Sequence, residues 1–102
     1  MTDFVEVAEL DRVKPGRGLA VEVMGKSVAL FNVDGKIYAI GDSCVHAGAS
    51  LAAGKLEGNI VTCRAHGLKY DITTGHVRGS PEIGVPFYPV EIVGEKIRIA
   101  VM

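Results

Sequence analysis

The sequence lacks long apolar runs and clusters of basic residues. No stretch of the chain reaches the ~18 uninterrupted apolar residues that a membrane span needs. The first twenty residues mix acidic and basic side chains and contain no apolar core of a secretory signal. The net charge is −1 and lysine and arginine form no run, so nucleic acid is not expected as a partner. We therefore expect a soluble, cytoplasmic protein that does not bind membranes.

Cysteine and histidine are both scarce. The chain has two cysteines, Cys44 and Cys63, and three histidines. In a reducing cytoplasm, two cysteines more often bind metal, act in catalysis or stay reduced than form a disulfide. A length of 102 residues suits one domain with a modest core, so a single domain over residues 1–102 is predicted.

Helix signals are few, whereas glycine is abundant at thirteen residues, and an all-β domain is therefore predicted. Short alternating or apolar stretches bounded by turn residues mark its strands. The predicted strands cover residues 4–8, 21–24, 27–33, 36–40, 59–62, 68–72, 76–78, 90–93 and 96–101. Asp34-Gly35 is predicted as a hairpin turn because this pair tolerates positive φ angles. Gly25-Lys26 and Gly94-Glu95 are predicted to join two further pairs of strands.

The middle of the chain differs in composition from its two ends. Residues 41–58 are rich in glycine and small side chains, and residues 79–86 in proline and glycine, so both are predicted as loops. A single helical turn at Ala52-Ala53 is the one helical element expected. The strands at the two ends of the sequence are expected to form one scaffold. Residues 41–86 are expected to form a loop-rich insertion on that scaffold.

Two short motifs in this insertion carry the metal chemistry. The stretches 44–46 (CVH) and 63–66 (CRAH) each place one thiol and one imidazole on a tight turn. Sixteen residues separate the two motifs. Cys44, His46, Cys63 and His66 therefore form a candidate four-ligand metal site.

Two metal centres suit this ligand set. Zinc is held by two thiolates and two imidazoles in many proteins, but zinc fingers usually pair cysteine with cysteine and histidine with histidine. In this chain each turn mixes the two ligand types. A [2Fe-2S] centre can take both thiolates on one iron and both imidazoles on the other, so each mixed turn would reach both irons. The pattern favours this centre and leaves zinc as the alternative.

The chain resembles the Rieske-type ferredoxins. The resemblance rests on residues 44–49 (CVHAGA), residues 63–67 (CRAHG), Tyr70-Asp71 and Thr74-Gly75, and it extends over nearly the whole chain. It implies stacked antiparallel β-sheets with a [2Fe-2S] cluster at one tip, bound by the four candidate ligands and covered by a loop near Gly79-Ser80-Pro81. It also implies an electron carrier that is not itself an enzyme. Such ferredoxins pass single electrons from an NAD(P)H-dependent flavin reductase to a terminal oxygenase.

The neighbours of the ligands indicate the range of the reduction potential. High-potential members of the family join the two loops by a disulfide, at positions that correspond here to Ala49 and Ala65. They also carry a serine at the position of Leu68, where its hydroxyl hydrogen-bonds a cluster sulfide. Tyr70 is present and is expected to donate its hydroxyl toward a cysteine sulfur. With fewer hydrogen bonds to sulfur, the potential is predicted near the low end of the Rieske range, roughly −150 mV.

The histidine count limits the function further. A Rieske oxygenase needs two more histidines for its mononuclear iron, and only His76 remains, which is predicted to be a solvated strand residue. A monomeric electron shuttle for a ring-hydroxylating oxygenase is therefore the leading hypothesis. Two alternatives stay open. The chain could be the small Rieske-like subunit of an assimilatory nitrite reductase, or a zinc-stabilised module that binds other proteins.

Overall fold

The computed structural model describes residues 4–44, 49–65 and 67–100, with only the backbone described at Pro81. Within those ranges the chain is almost entirely β, and its two helical elements are single 3₁₀ turns, Leu10–Arg12 and Leu51–Ala53. The strands are β1 Phe4–Glu9, β2 Gly18–Val23, β3 Lys26–Val33, β4 Lys36–Gly41, β5 Lys55–Glu57, β6 Ile60–Thr62, β7 Lys69–Asp71, β8 His76–Val77, β9 Ser80–Gly84, β10 Phe87–Tyr88, β11 Val90–Val93 and β12 Lys96–Ala100. The predicted all-β class is confirmed.

The strands form three antiparallel sheets. Their orders are β1-β12-β11, β10-β4-β3-β2 and β5-β6-β7-β8-β9. The strands at the two ends of the sequence, which were predicted to form one scaffold, divide between the first two sheets. The two sheets nevertheless share one apolar cluster. The stacked antiparallel arrangement that the resemblance implied is confirmed. Among the described residues, no helix is long and apolar enough to cross a membrane.

The central strand β3 is buried on both of its faces. Val28 and Leu30 belong to a first apolar cluster, shared with the sheet of the chain termini. Ala29 and Phe31, which alternate with them, belong to a second cluster on the opposite face. Because successive strand residues point to opposite faces, an apolar run without alternation is typical of such a strand. Burial of each large side chain in it contributes roughly 1.5–3 kcal/mol relative to exposure.

The hairpins follow the turn chemistry of the sequence. Asp34 and Gly35 adopt φ of 52° and 90°, as a two-residue hairpin turn between β3 and β4 requires. The turn between β2 and β3 is Met24-Gly25, one residue before the predicted Gly25-Lys26, because Val23 pairs with Lys26. The predicted Gly94-Glu95 turn between β11 and β12 is also present, because Val93 pairs with Lys96.

Two predicted loops contain strands. Part of the stretch 41–58 forms β5, which pairs with β6, and most of the stretch 79–86 forms β9, which pairs with β8. β10, which pairs with β4, was also missed. Proline at position 81 lies on the outermost strand of its sheet, and edge strands are where proline is tolerated within a sheet. The predicted helical turn is present at Leu51–Ala53.

The two ends of the described chain are paired. β1 lies against β12 over most of its length. Lys96 on β12 donates to the Glu9 carboxylate at 2.6 Å. This hydrogen bond and the attraction between the charges lower the pKa of Glu9 and raise the pKa of Lys96. Predicted strand residue Val101 lies outside the described residues.

Candidate metal centre

Both cysteines lie in the second apolar cluster. Cys44 is 3% exposed and Cys63 is 1% exposed, and both are thiols. Cys44 follows the end of β4, and Cys63 follows the end of β6. The fold thus brings together two thiols that are far apart in sequence. The other two predicted ligands, His46 and His66, lie outside the described residues, so their part in the site stays a prediction.

The first ligand loop is closed at its base by backbone contacts. The N–H of Cys44 donates to the carbonyl of Ala49 at 2.9 Å. Ser43 and Ser50, one residue further out on each side, form an antiparallel bridge. The two ends of the loop, residues 44 and 49, are therefore held next to each other, with Cys44 at the first position.

The second ligand loop has the same closing bond. The N–H of Cys63 donates to the carbonyl of Leu68 at 2.8 Å, again across five residues. Gly67 donates its N–H to the carbonyl of Cys63 at 2.9 Å and adopts a φ of +72°, which favours glycine. Each loop therefore starts with a cysteine whose backbone is hydrogen-bonded across the loop base.

Asp42 anchors the first loop, a role that sequence reasoning missed. The residue is buried, with 7% of its surface exposed. Its carboxylate accepts hydrogen bonds from Ser50 Oγ at 2.9 Å and from the N–H of Ala52 at 2.8 Å. Its carbonyl accepts from the N–H of Leu51 at 2.6 Å. The available signal was an aspartate two residues before Cys44 and a short helical turn soon after the motif.

Tyr70 connects the sheet to a thiol. It is fully buried on β7, and its hydroxyl donates to Cys44 Sγ at 3.4 Å. A hydrogen bond to sulfur stabilises the thiolate over the thiol, because the charged acceptor gains more from the donor. The predicted hydrogen bond from Tyr70 to a cysteine sulfur is confirmed.

The residues that were used to predict the potential occupy different environments. Ala49 and Leu68 are half-buried and pack against the cluster that holds both cysteines. Ala65, like Arg64 beside it, is exposed. The low reduction potential stays a prediction.

A cross-strand contact fixes the segment that follows β9. Gly41 donates its N–H to the carbonyl of Pro86 at 2.8 Å, and Val85 donates to the carbonyl of Gly75 at 2.8 Å. Gly75 has a φ of +85°, and a Cβ there would meet the carbonyl oxygen of Val85. Glycine is therefore required at position 75 for this close approach. That the neighbouring stretch 79–81 covers a cluster stays a prediction.

His76, the third histidine, is exposed at the start of β8. It pairs with Gly84 across the edge of the sheet. The prediction that it is a solvated strand residue is confirmed.

The described part of the site suits an iron–sulfur centre. It offers two water-shielded thiols on separate loops, with a hydroxyl donor on one sulfur. Thiolates are the protein ligands of iron–sulfur clusters, and hydrogen bonds to their sulfurs tune the reduction potential. The donor chemistry of these residues therefore fits a [2Fe-2S] cluster.

Comparison with known proteins gives a consistent family. Residues 3–89 match the Rieske [2Fe-2S] domain. The chain is 36% identical over 98 residues to the biphenyl dioxygenase ferredoxin subunit of Pseudomonas sp. (strain KKS102), covering 94% of this chain and 90% of the relative.

Solved structures agree with the sequence relatives. The ferredoxin of carbazole 1,9a-dioxygenase from Nocardioides aromaticivorans IC177 superposes with a TM-score of 0.89 at 31% identity, over 97% of this chain and 98% of that one. The ferredoxin fold also matches in a complex of reduced oxygenase and oxidized ferredoxin in carbazole 1,9a-dioxygenase, with a TM-score of 0.85 at 28% identity over 95% and 92% of the two chains.

A proposed NADH-dependent nitrite reductase small subunit from Mycobacterium tuberculosis superposes with a TM-score of 0.90, covering 100% of this chain and 97% of that one. Its identity to this chain is 24%, so the likeness shows the fold alone. The family match over most of the chain, together with a relative above 30% identity along nearly all of it, is decisive: this chain belongs to the Rieske [2Fe-2S] family, as an electron-carrying ferredoxin with a [2Fe-2S] cluster.

Proposed function

We propose that this ferredoxin passes single electrons from an NAD(P)H-dependent flavin reductase to the terminal oxygenase of a ring-hydroxylating dioxygenase system. The observation that carries the proposal is the pair of loops that each begin with a buried cysteine and have matching closing bonds, in a chain whose relatives are ferredoxin components of such systems. The carbazole complex supports direct contact between a ferredoxin of this fold and an oxygenase.

The cluster ligands are Cys44, His46, Cys63 and His66 in this proposal. When bound, the cluster supplies a one-electron redox centre of higher potential than an all-cysteine one. The burial of both thiols keeps water from the sulfurs, and Tyr70 stabilises negative charge at Cys44. The second apolar cluster holds Cys44 and Cys63, the first residues of the two loops, in one buried group.

The same proposal treats residues 1–102 as one Rieske domain, with residues 41–86 as its cluster-binding part. The sheet β5–β9 falls within that range, which supports the division. A monomeric, cytoplasmic carrier is the simplest form of a shuttle that meets a reductase and an oxygenase in turn.

The ligand assignment is tested with a pair of histidine variants. His66→Ala should abolish the visible spectrum of the normal cluster, because one iron loses a ligand. His76→Ala is the matched control, since His76 is exposed on β8, and it should leave the spectrum intact. An intact cluster in His66→Ala together with loss of the cluster in His76→Ala would overturn the assignment.

The partner assignment is tested by electron transfer. The cofactor is checked first: iron and acid-labile sulfide should each be near two per chain, and the protein should be coloured. A zinc-binding module would contain neither iron nor sulfide and would be colourless. The reduced protein is then mixed with the terminal oxygenase of the biphenyl dioxygenase system, and separately with the catalytic subunit of an assimilatory nitrite reductase. Oxidation by the oxygenase is expected. Oxidation by the nitrite reductase alone would favour the alternative Rieske-like subunit.

A further inference from the structure

A row of basic side chains crosses the outward face of the sheet β5–β9. The strand register aligns Lys55 with Thr62 and Thr62 with Lys69. Arg78 continues this row, because its N–H donates to the carbonyl of Lys69 at 2.7 Å. Directly opposed residues of antiparallel strands point to the same face. The four residues Lys55, Thr62, Lys69 and Arg78 are called the basic row.

The basic row points away from the protein core. The next residues along the strands, Val61, Tyr70 and Val77, are buried and point inward. Lys55, Lys69 and Arg78 are exposed. With neighbouring strands about 5 Å apart, the row spans about 14 Å of surface.

This row is the edge of the sheet that borders the second ligand loop. Thr62 directly precedes Cys63, and Lys69 directly follows Leu68, whose carbonyl closes that loop. Arg64 within the loop is exposed and adds a fourth cation.

No carboxylate balances these cations from the ligand loops. Residues 43–50 and 63–68 contain neither aspartate nor glutamate. Asp42, just before the first loop, is buried and directs its carboxylate to Ser50 and Ala52. The positive charge beside the loops is therefore exposed to solvent without an exposed acid among those loop residues.

Acidic residues occupy the next row of the same face. Glu57, Ile60 and Asp71 are aligned by the register, about 7 Å further from the loop. Lys55 reaches Glu57 at 3.9 Å, but both side chains are highly exposed, and such pairs contribute little. None of the ion pairs between described residues uses Arg64, Lys69 or Arg78. Charge is thus separated along the strands, with the positive side toward the loop.

The opposition of Lys69 and Arg78 is unfavourable for the fold. Like charges directly opposite each other on antiparallel strands destabilise the pair. This arrangement therefore has no explanation in folding stability, whereas an opposite charge on a partner would relieve the repulsion. We propose that the basic row and Arg64 form the docking surface for an acidic surface on a protein redox partner.

This inference rests on the proposed function, because it places the electron port at the ligand loops. The partner charge that it requires is opposite to the one that the net charge of the chain favours. The net charge is −1, so long-range attraction by net charge would favour cationic partners. A local positive field at the port favours anionic ones.

The sign of this field is measured with two small oxidants of opposite charge. Dithionite-reduced protein is mixed in a stopped-flow instrument with hexacyanoferrate(III), a trianion, or hexaamminecobalt(III), a trication. Each reaction moves one electron from the protein to the metal of the oxidant. Between ionic strengths of about 0.01 M and about 0.5 M, the rate constant for the anion should fall about tenfold or more, and that for the cation should rise.

The surface itself is tested by neutralisation. The triple variant Arg64→Gln, Lys69→Gln, Arg78→Gln should lose most of the salt dependence with hexacyanoferrate(III), with its visible spectrum unchanged. Lys14→Gln is the control. Lys14 is exposed and lies at the far end of the β3–β4 pair from the ligand loops. Its neighbour Pro15 bridges to β3 near the Asp34-Gly35 turn, whereas the first ligand loop follows Gly41 at the opposite end.

Poly-L-glutamate serves as the probe for an acidic polypeptide. It should slow the hexacyanoferrate(III) reaction of the native protein at low salt and have no effect on the triple variant. Two results would overturn the docking surface. The first is a rate constant for the trication that is higher at low than at high ionic strength. The second is an equal salt dependence with hexacyanoferrate(III) in the native protein and the triple variant. Absence of iron and sulfide from the native chain would instead overturn the proposed function.

Discussion

Tyr70 links the folded sheet directly to one cysteine sulfur. Its ring is fully buried on β7, and its hydroxyl reaches Cys44 Sγ at 3.4 Å. Among single residues, it therefore has the clearest geometric basis for tuning the electron affinity of the centre. A donor on the sulfur favours the more negative, reduced state.

Tyr70→Phe should lower the reduction potential without loss of iron. If the hydrogen bond favours the reduced state by about 1 kcal/mol, its removal lowers a one-electron potential by about 40 mV. Voltammetry of the purified protein measures this shift. Tyr38→Phe is the control, because Tyr38 is half-buried against the same apolar cluster but its hydroxyl donates to neither cysteine sulfur among the described residues. A potential that stays constant in the first variant would contradict the role of the hydroxyl.

Leu68→Ser should raise the potential. Leu68 is half-buried against the cluster that contains both cysteines, and it supplies no donor from its side chain. A serine hydroxyl there would add a hydrogen bond toward sulfur and favour the reduced state, by about 40 mV for about 1 kcal/mol. Leu68→Ala separates this effect from the loss of the leucine side chain. A serine variant with a potential equal to or below that of the alanine variant would refute the explanation.

At the scale of elements, the first ligand loop depends on one buried carboxylate. Asp42→Ala leaves the N–H of Ala52 and the hydroxyl of Ser50 without their acceptor. A buried unsatisfied group costs about 1–3 kcal/mol, and the unfolding free energy should fall by that amount. Asp42→Asn keeps an acceptor oxygen and should lose less. Chemical denaturation measures the unfolding free energy of both variants. An equal decrease in the two would mean that the acceptor oxygen is not what holds the loop.

The cross-strand pair of Lys69 and Arg78 leads to a prediction about β7 and β8. Lys69→Glu replaces a like-charge opposition with an opposite-charge one on the same exposed face. Such pairs differ by roughly 0.2–1 kcal/mol, so the thermal midpoint should rise slightly at low salt. Oxidation by hexacyanoferrate(III) should slow in the same variant. A variant that is less stable would show that the two side chains do not face each other.

The elements that the sequence predicted correctly are those with local causes. Asp34-Gly35 forms a hairpin turn whatever surrounds it, because its backbone preferences are intrinsic. The strands β5 and β9 lie in stretches that composition alone marked as loops, and β10 has only two residues and pairs with the distant β4, so no local pattern indicates it. The cysteines were identifiable from their spacing with histidines. The anchoring by Asp42 was not, because it needs the three-dimensional closure of the loop.

At the scale of the whole molecule, the described residues form two apolar clusters, one on each side of the sheet β10-β4-β3-β2. The first cluster holds residues of the terminal sheet and one face of β3 and β4. The second holds the other face, the sheet β5–β9 and both cysteines. Only the second cluster contains groups that bind metal in the proposed function. The two halves of the molecule should therefore respond differently when the metal is removed.

Chelation of the iron should loosen β6 and β7 and leave β1 and β12 protected. Without metal, the two cysteine loops lose the tie between them, so the free energy of local opening falls for β6 and β7, which flank the second loop. The amides of β6 and β7 should exchange about tenfold faster or more, which corresponds to about 1.4 kcal/mol of opening free energy. The pairing of β1 with β12, which includes the 2.6 Å bond from Lys96 to Glu9, lies in the other half and should keep its protection. Hydrogen exchange read by mass spectrometry on the native and iron-free protein measures both regions in one experiment. Equal loss of protection in the two regions would show that the molecule opens as one unit and that the metal stabilises all three sheets together.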